Sequence, residues 1–270
     1  MSEEKYQQAA EIISKARYLV GFSGAGISQE SGIPTFRDPG GIWDQFDASE
    51  IGTTGGLLET AMRNPGMIRK FILDTVAIFE AARPNPGHVG LAELEGLGLL
   101  RSVITQNIDN LHREAGTTRV IEVHGNIYRA RCLACGRKEQ VEKDALISKL
   151  KITLADEDDF SPGELINLFP TCTCGSASRP DVVMFGEAVQ GMPEAFQEAS
   201  QCDVMLVLGT SGVVYPAASL PFEARNRGAR IIEINPTDNY FSGITDVFIK
   251  EKNGVAMPRL VGLVRERLGQ

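Results

Sequence analysis

Nearly continuous apolar runs alternate with helical segments along this chain, and this alternation constrains the fold more than any other feature. The clearest runs are Tyr18–Phe22, Ser102–Thr105, Val120–Val123, Val204–Leu208 and Ile231–Ile234. Strands that lack apolar–polar alternation are typical of a parallel sheet covered by helices on both faces. The sequence therefore predicts an α/β fold with a Rossmann-like parallel sheet.

The segments between these runs predict the covering helices. Apolar residues recur at helical spacing in His88–Leu97. The other helical segments are the end of a first helix at Ala9–Ala16, Ile108–Ala115, Ala217–Arg227 and a last helix beginning near Pro258. Residues 37–66 are rich in Gly, Asp and Thr without a clear period, which predicts a long functional loop and a small helical insertion.

Composition excludes several classes of protein. The net charge of −8 leaves no basic footprint for nucleic acid. No apolar run is long enough to span a bilayer, and the sequence from Met1 to Gln8 has neither a basic start nor the apolar core of a signal peptide. We therefore expect a cytoplasmic protein that binds neither nucleic acid nor membrane.

Four of the five cysteines form two close pairs, Cys132-x2-Cys135 and Cys172-x-Cys174. In a cytoplasmic chain such pairs favour a metal over disulfides, and four thiolates suit tetrahedral zinc. The second pair is one residue tighter than usual, and the alternative is four free thiols on a loop. A catalytic zinc is disfavoured because four cysteines close the coordination shell, and Cys202 is expected to pack in the core.

Glycine-rich or polar turns follow three of the predicted strands. Gly24, Ala25 and Gly26 follow the first strand, Gly209, Thr210 and Ser211 follow another, and Asn235 follows a third. The usual third glycine would fall at Gln29, so the first turn alone equally suits a tight strand-to-helix connection. Because these turns converge on one edge of the sheet, together they predict a dinucleotide site.

A second polar segment, Gln106-Asn107-Ile108-Asp109, follows another strand. Its side chains suit ribose hydroxyls and a carboxamide, although Asn107 or Asp109 capping a helix is the alternative. His124 ends the next strand, and an imidazole there can act as a general base near neutral pH. The alternative is a core histidine bonded to backbone. His88, near a helix start, and His112, in a short helix, are expected to be structural.

The segment from Asp181 to Glu187 begins as a strand and ends at a glycine. It can pair with an extended peptide through its backbone, or it is an ordinary edge or core strand.

Taken together, these motifs resemble those of the sirtuins. The resemblance rests on Gly24–Arg37, Thr105–His112, Val123–Gly125, the cysteine pairs, Arg179–Glu187 and Gly209–Ala217, and it covers essentially the whole chain in the expected order. It is strongest to the compact bacterial and archaeal members. It implies NAD-dependent removal of acyl groups from protein lysine side chains, with nicotinamide and O-acyl-ADP-ribose as products. The implied cofactors are NAD and zinc, and the implied partners are proteins that carry acylated lysine.

The resemblance also implies a role for each site residue. His124 would be the general base and Asn107 would act beside it at the ribose. The cofactor would be held by Gly24, Ala25, Gly26, Phe36, Arg37, Gln106, Asn107, Ile108, Asp109, Gly209, Thr210, Ser211, Asn235 and Asn253. The peptide would lie against Val183, Phe185, Gly186 and Val213, and zinc would bind to Cys132, Cys135, Cys172 and Cys174.

Acyl preference is implied by the helix after the cofactor loop. Members that prefer dicarboxylic acyl groups carry Tyr and Arg three residues apart there, where this chain has Phe71 and Asp74. Asp74 would repel a carboxylate, which predicts acetyl or other uncharged acyl groups, although Arg69 and Lys70 lie nearby. Two other functions stay open, namely protein mono-ADP-ribosyl transfer and a non-catalytic NAD-sensing module.

The motifs divide the chain into three predicted parts. Residues 1–36, 81–125 and 180–270 form the Rossmann-like NAD-binding domain. Residues 37–80 form the cofactor loop and small helical insertion, and residues 126–179 form the zinc-binding module.

Overall fold

Nine strands form two sheets in the computed structural model, which describes residues 2–35, 46–155, 163–164 and 168–270. In chain order the strands are β1 (Leu19–Ser23), β2 (Leu100–Thr105), β3 (Val120–Glu122), β4 (Gly125–Cys132), β5 (Lys138–Gln140), β6 (Ser178–Val182), β7 (Val204–Leu208), β8 (Arg230–Ile234) and β9 (Val247–Ile249). Six of them form a parallel sheet in the order β3-β2-β1-β7-β8-β9. The predicted parallel sheet is therefore confirmed.

Helices cover both faces of this sheet. The described helices are α1 (Ser2–Ser14), α2 (Ala48–Ile51), α3 (Thr54–Arg63), α4 (Pro65–Ala81), α5 (Pro86–Gly96), α6 (Leu111–Glu114), α7 (Lys143–Thr153), α8 (Met192–Gln201), α9 (Leu220–Asn226) and α10 (Asn253–Leu268). One apolar core joins α1, α5 and α10 to the sheet, and a second joins α8 and α9 to the other face. Burial on both faces explains why strands β1 and β7 are apolar at nearly every position.

The order of the strands places a crevice beside β1. Strand β1 lies between β2 and β7. From β1 the sheet is extended by β2 and β3 on one side and by β7, β8 and β9 on the other, so the direction in which strands are added reverses at β1. Open α/β sheets bind ligands at such a switch point, outside the carboxyl ends of the strands. The turns after Ser23 and Leu208 therefore face the expected position of a ligand.

A smaller antiparallel sheet in the order β5-β4-β6 continues from the end of β3. Its strand β4 packs with α4 and α7 around a third apolar core that includes Phe79, Tyr128 and Leu146. Gly125 begins β4 with a φ of 88°, and a Cβ there would overlap the carbonyl oxygen of Asp181 on β6. Glycine is therefore required where β4 and β6 meet.

Three predicted helices differ from the structure. The helix expected over Ile108–Ala115 begins at Leu111, because the Asp109 carboxylate accepts the Leu111 N–H at 2.9 Å and Asn110 adopts a φ of 69°. The helix expected over Ala217–Arg227 is a 3₁₀ turn, Ala217–Ser219, followed by α9.

The last helix begins at Asn253, five residues before the predicted start at Pro258. Proline favours the first turn of a helix, but here it lies inside α10. The buried face that includes Met257 and Leu260 anchors this helix to the sheet, and that packing outweighs one lost hydrogen bond. Within the described part of the chain, no helix has the length and apolar character needed to cross a bilayer.

Candidate active site

The two glycine turns at the switch point pack directly against each other. The Gly24 N–H donates to the Leu208 carbonyl at 3.1 Å, and the Gly26 N–H donates to the Gly209 carbonyl at 2.7 Å. A Cβ on Gly26 would lie 2.7 Å from that same carbonyl oxygen, and Gly209 has a φ of 56°. The N–H groups of Gly24 and Gly26 thus donate hydrogen bonds within the protein. The absence of a side chain at Gly26 allows the two turns to approach this closely.

Thr210 joins the turn after β7 to two other segments. Its hydroxyl accepts a hydrogen bond from the Gln106 side chain at 3.0 Å. Its carbonyl accepts from the side-chain amides of Asn235 at 2.9 Å and Asn239 at 2.8 Å. Ser211 follows and is exposed. The structure thus brings Gln106, Thr210, Ser211 and Asn235 to one edge of the sheet, as the convergence of the turns predicted.

Asn107 and Asp109 are buried on the neighbouring segment and share a partner, Ser28. The Ser28 hydroxyl donates to the Asp109 carboxylate at 2.6 Å and accepts from the Asn107 amide at 3.0 Å, and the Asn107 amide also donates to the Gly24 carbonyl at 3.1 Å. Burial raises the pKa of Asp109, while the hydrogen bonds from Ser28 and from the Leu111 N–H act in the opposite direction. Asp109 also accepts the N–H of Leu111, the first residue of α6, so a contact with the helix start and a place beside Asn107 coincide.

Ile108 lies between these two polar residues and is half-buried against the third apolar core. Its carbonyl accepts the Ile127 N–H at 2.9 Å. This contact fixes the Gln106–Asp109 segment to strand β4, just beyond His124.

His124 is half-buried between the two sheets, and its ring nitrogen Nδ1 lies 3.0 Å from the Gln106 carbonyl oxygen. Because a carbonyl oxygen only accepts hydrogen bonds, Nδ1 carries the hydrogen and Nε2 carries the lone pair. Burial lowers the pKa of His124, and the hydrogen bond to Gln106 partly opposes this. The imidazole is therefore neutral at neutral pH and able to accept a proton at Nε2.

The segment after β6 runs alongside His124. The Val183 N–H donates to the His124 carbonyl at 2.9 Å, and the Phe185 N–H donates to the Gly52 carbonyl at 2.8 Å. Phe185 is 51% exposed and Val213 is 36% exposed, and Gly186 has a φ of 85°. These residues present apolar surface at the two segments where the peptide was predicted to lie.

The four paired cysteines form one cluster, with all sulfur atoms within 4.8 Å of one another. Sγ of Cys132 lies 3.5 Å from Sγ of Cys174, and Sγ of Cys135 lies 3.6 Å from Sγ of Cys172. Four ligands at about 2.3 Å in a tetrahedron have sulfur atoms about 3.8 Å apart, so the cluster fits zinc. The tight second pair is accommodated because the Gly175 N–H folds back to the Cys172 carbonyl at 2.8 Å.

The remaining cysteine, Cys202, is buried in the core beneath α8, as predicted. Its hydrogen-bonding partner is the carbonyl of Ala199.

Comparison with known proteins agrees with this geometry. The Sir2 family matches residues 24–216 of the chain. The NAD-dependent protein deacylase of Desulfosudis oleivorans is 51% identical over 260 residues, which cover 96% of this chain and 95% of that protein. This chain belongs to the Sir2 family.

Solved Sir2 structures share the fold over nearly the full length. A Sir2 homologue in complex with NAD has a TM-score of 0.78 and 37% identity, and the match covers 97% of this chain and 94% of that one. Sir2Af2 bound to a myristoylated histone peptide has a TM-score of 0.71 and 35% identity, with 99% of each chain covered.

Two of the predicted cofactor residues, Phe36 and Arg37, lie outside the described residues. Asn253 is buried at the start of α10, close to Gly87, and the Gly254 N–H beside it donates to Glu30 at 2.7 Å. No hydrogen bond among the described residues links Asn253 to Thr210, Ser211 or Asn235, so its contact with adenine stays a prediction.

Two residues that hold the Sir2 site together were absent from the predicted set. Ser28 bonds to both Asn107 and Asp109, and Asn239 bonds to the Thr210 carbonyl. Ser28 ends the glycine turn, and a serine there was a usable signal. Asn239 lies in an irregular loop, and only its tertiary position reveals it.

Proposed function

We propose that this chain is an NAD-dependent protein deacylase that transfers an acyl group from a lysine side chain to ADP-ribose. The products would be nicotinamide and O-acyl-ADP-ribose. The observation that supports this most directly is the neutral His124, held by the Gln106 carbonyl beside the buried pair Asn107 and Asp109. The names of its relatives support the same reaction.

The polar residues at the switch point fit NAD. Gly24, Ala25, Gly26, Gly209, Thr210, Ser211 and Asn235 would hold the diphosphate and adenosine half. Gln106, Asn107, Ile108 and Asp109 would hold the ribose and the nicotinamide carboxamide, and Phe36, Arg37 and Asn253 would complete the site. When bound, NAD supplies a cationic nicotinamide, which is a good leaving group, on the anomeric carbon of the ribose.

In this proposal His124 accepts a proton from a ribose hydroxyl at Nε2. Hydrogen bonding of Nδ1–H to the Gln106 carbonyl keeps the ring in the tautomer that this step needs. Asn107 orients the ribose, and its own position is fixed by Ser28 and by the Gly24 carbonyl. A general base of this kind contributes about 10²–10⁴-fold to the rate.

The substrate peptide would lie as an added strand between Val183–Gly186 and the segment near Val213. The N–H groups of Val183 and Phe185 donate within the protein, so the peptide would pair with carbonyl oxygens and with Gly186. Phe185 and Val213 would cover the apolar part of the acyl-lysine side chain. The substrates would be proteins that carry acylated lysine.

The helical insertion favours uncharged acyl groups. Phe71 packs edge-on against Phe46, with ring centroids 5.1 Å apart. Asp74 forms an ion pair with Lys70, and the Arg69 guanidinium donates to the carbonyls of Leu154 and Ala155. The two cations near Phe71 are thus engaged, and neither is available for a carboxylate on the acyl group.

We further propose that the three parts predicted from the sequence divide the work. Residues 1–36, 81–125 and 180–270 would bind NAD, residues 37–80 would close over the cofactor and the acyl group, and residues 126–179 would hold zinc. The zinc would be structural, because four cysteines leave no open position. Four reduced thiolates suit a reducing compartment, which supports a cytoplasmic location.

Mass spectrometry of a reaction with NAD and an acetyl-lysine peptide tests the function. We expect unmodified lysine, free nicotinamide and O-acetyl-ADP-ribose, and a loss of about 10²-fold or more in His124→Ala. ADP-ribose attached to protein or peptide would instead indicate mono-ADP-ribosyl transfer. Binding of NAD without nicotinamide release, with or without the peptide, would indicate a sensing module.

Competition between acetyl, succinyl and long-chain acyl peptides of one sequence tests the acyl preference. We expect kcat/KM for the succinyl peptide to be at least about tenfold below that for the acetyl peptide, which corresponds to about 1.4 kcal/mol of differential transition-state binding. A preference for succinyl would show that a cation reaches the acyl group.

A further inference from the structure

A continuous series of polar contacts runs around His124, from Asn110 in the segment before it to Asp181 on β6. Asn126 donates to the Asn110 side chain at 2.9 Å and to Glu122 Oε1 at 2.7 Å. Arg129 then joins two carboxylates, since Nη1 donates to Glu122 Oε2 at 2.6 Å and Nε donates to Asp181 Oδ2 at 2.7 Å. We refer to Asn110, Asn126, Glu122, Arg129 and Asp181 as the polar bridge.

The polar bridge is shielded from solvent. The side chains of Asn126 and Asp181 are fully buried, and those of Glu122 and Arg129 are 5% and 18% exposed. Burial opposes ionisation of Asp181, but hydrogen bonds from Lys138, Gln190 and Arg129 hold its pKa below the usual value. Arg129 therefore bonds to two carboxylates that are largely shielded from water, in a region where such contacts are strong and directional.

The bridge joins the two segments between which His124 lies. Asn110 directly follows the proposed cofactor segment Gln106–Asp109, and Asp181 begins the segment that continues to the proposed peptide contact at Val183. His124 itself bonds to both segments, because its Nδ1 lies 3.0 Å from the Gln106 carbonyl and its own carbonyl accepts the Val183 N–H at 2.9 Å. The separation of these segments thus sets the position of the imidazole.

Arg129 is the one member that connects the two sheets by charge. Glu122 ends β3 of the large sheet, two residues before His124, whereas Asp181 lies on β6 of the small sheet. Without Arg129 the neighbouring Lys138 still pairs with Asp181 at 2.9 Å and Arg113 still pairs with Glu122 at 3.2 Å. Each carboxylate would keep a cation, but no charged group would join them.

We propose that Arg129 is a positioning residue, which fixes the small sheet against the large sheet so that His124 stays aligned between the cofactor and peptide segments. The proposal rests on the proposed function of His124. Displacement of a catalytic group by about 1 Å can cost about 10²-fold in rate, so loss of this connection should affect turnover more than folding.

The substitution Arg129→Gln tests this, with Arg113→Gln as the matched control. Arg113 bonds to the same Glu122 carboxylate, and its other hydrogen bond among the described residues goes to the Val120 carbonyl, also on β3, so it does not join the sheets. We expect kcat with an acetyl peptide to fall about 10- to 100-fold in Arg129→Gln, with KM for NAD within about threefold, and both constants nearly unchanged in the control. Arg129→Lys should restore little, because one ammonium cannot bond to both carboxylates in the same planar arrangement.

A readout without NAD separates positioning from catalysis. The chain has three histidines, so the imidazole of His124 can be assigned in an NMR pH titration by comparison with His124→Ala. We expect its chemical shifts and its titration midpoint to change in Arg129→Gln and not in Arg113→Gln. Glu122→Gln, which leaves the Arg129–Asp181 pair intact, should show the same changes, and Glu122→Gln with Arg129→Gln should lose no more kcat than either alone.

Three results would overturn the proposal. The first is a lowered melting temperature in Arg129→Gln with unchanged kcat and an unchanged His124 titration, which is what a purely structural residue would give. The second is an equal effect in Arg113→Gln, and the third is additive losses in the double variant. Failure of the parent protein to deacylate any peptide would overturn the proposed function instead, while the titration would still report on the position of His124.

Discussion

The tautomer of His124 is set by a single backbone oxygen. The Gln106 carbonyl accepts from Nδ1–H, which leaves the lone pair on Nε2. Burial lowers the pKa of this imidazole, and the same hydrogen bond partly opposes the change. This contact therefore fixes which nitrogen of His124 can accept a proton, and it partly offsets the effect of burial on the pKa.

The pH dependence of kcat/KM for an acetyl peptide should reflect this environment. Because the base must be unprotonated and its pKa is lowered, activity should fall only when the pH drops below the ordinary value of 6.5. Measurement between pH 5 and 8 in buffers of constant ionic strength checks this. A decline that begins above 6.5 would mean that the site stabilises the imidazolium, which contradicts the assignment of His124 as a base.

The sequence predicted residues at strand ends better than residues in loops. His124, Asn107, Asp109 and Thr210 follow apolar strands, and parallel strands deliver their carboxyl ends to one edge. Asn253 was predicted from the resemblance alone, and the structure buries it at the start of α10. Its environment depends on how α10 packs against the start of α5, which no local pattern encodes.

At the scale of elements, hydrophobic periodicity predicted the type and order of most helices and strands. Tertiary contacts determined where some of them begin and end. The predicted strand Val204–Leu208 coincides with β7. A parallel strand that is buried on both faces is apolar at every position, so the apolar run has the same limits as the strand. The helix after Asp109 begins late because the Asp109 carboxylate accepts the Leu111 N–H and Asn110 has a positive φ. Helix α10 continues through Pro258 because its apolar face is buried. The antiparallel sheet was not predicted, since β5 is short and exposed at all three positions.

Strands β4 and β6 are held together at both ends. At one end Gly125 pairs with Val182 beside His124, and at the other end Cys132 pairs with Ser178, four residues after Cys174. The cysteine cluster therefore closes the far end of the two strands that flank His124. Metal binding at that cluster would restrain the same strands that position His124.

Removal of zinc should therefore reduce activity as well as stability. After treatment with a strong chelator we expect one zinc per chain to be lost, the melting temperature to fall by about 5 °C or more, and deacylation to fall with it. Far-UV circular dichroism should retain most of the helical signal, because the cluster lies at the end of β4 and β6 in the small sheet. Metal analysis, thermal unfolding and activity on one sample check this.

The cysteines supply a matched pair of variants for the same question. Cys132→Ala should bind no zinc and behave like the chelated protein, whereas Cys202→Ala should keep its zinc because Cys202 is in the core and outside the cluster. Full activity in zinc-free Cys132→Ala would show that the metal does not restrain β4 and β6.

At the scale of the whole molecule, two buried histidines join the helices to the sheet beneath the site. His88 on α5 and His112 on α6 meet edge to face with ring centroids 4.9 Å apart. His112 bonds to the Ser23 hydroxyl at 2.8 Å, and His88 Nδ1 accepts the Asn85 N–H at 3.3 Å. Both rings are thus part of the structural core on which the glycine turns and the Gln106–Asp109 segment rest, and a structural role was predicted for both.

This pair should make the folded state sensitive to mild acid. Burial lowers the pKa of His88 to about 4 from 6.5 and lowers that of His112 well below 6.5, so between these values the unfolded chain binds protons that the folded chain does not. The stability that His88 contributes is then present above pH 6.5 and is lost as the pH falls towards 4. From pH 7 to pH 5 this amounts to about 2 kcal/mol for His88, and His112 acts in the same direction.

Comparison of the parent with His88→Asn isolates this effect from other titrations. Asp109 and Glu233 act in the opposite direction because burial raises the pKa of each carboxyl, but they are common to both proteins. Asn at position 88 keeps an acceptor for the Asn85 N–H and does not titrate. Urea unfolding at pH 7 and pH 5 should show that the parent loses about 2 kcal/mol more than the variant. Equal losses would mean that His88 stays as protonated in the fold as in the unfolded chain, and the buried pair would then have no role in acid sensitivity.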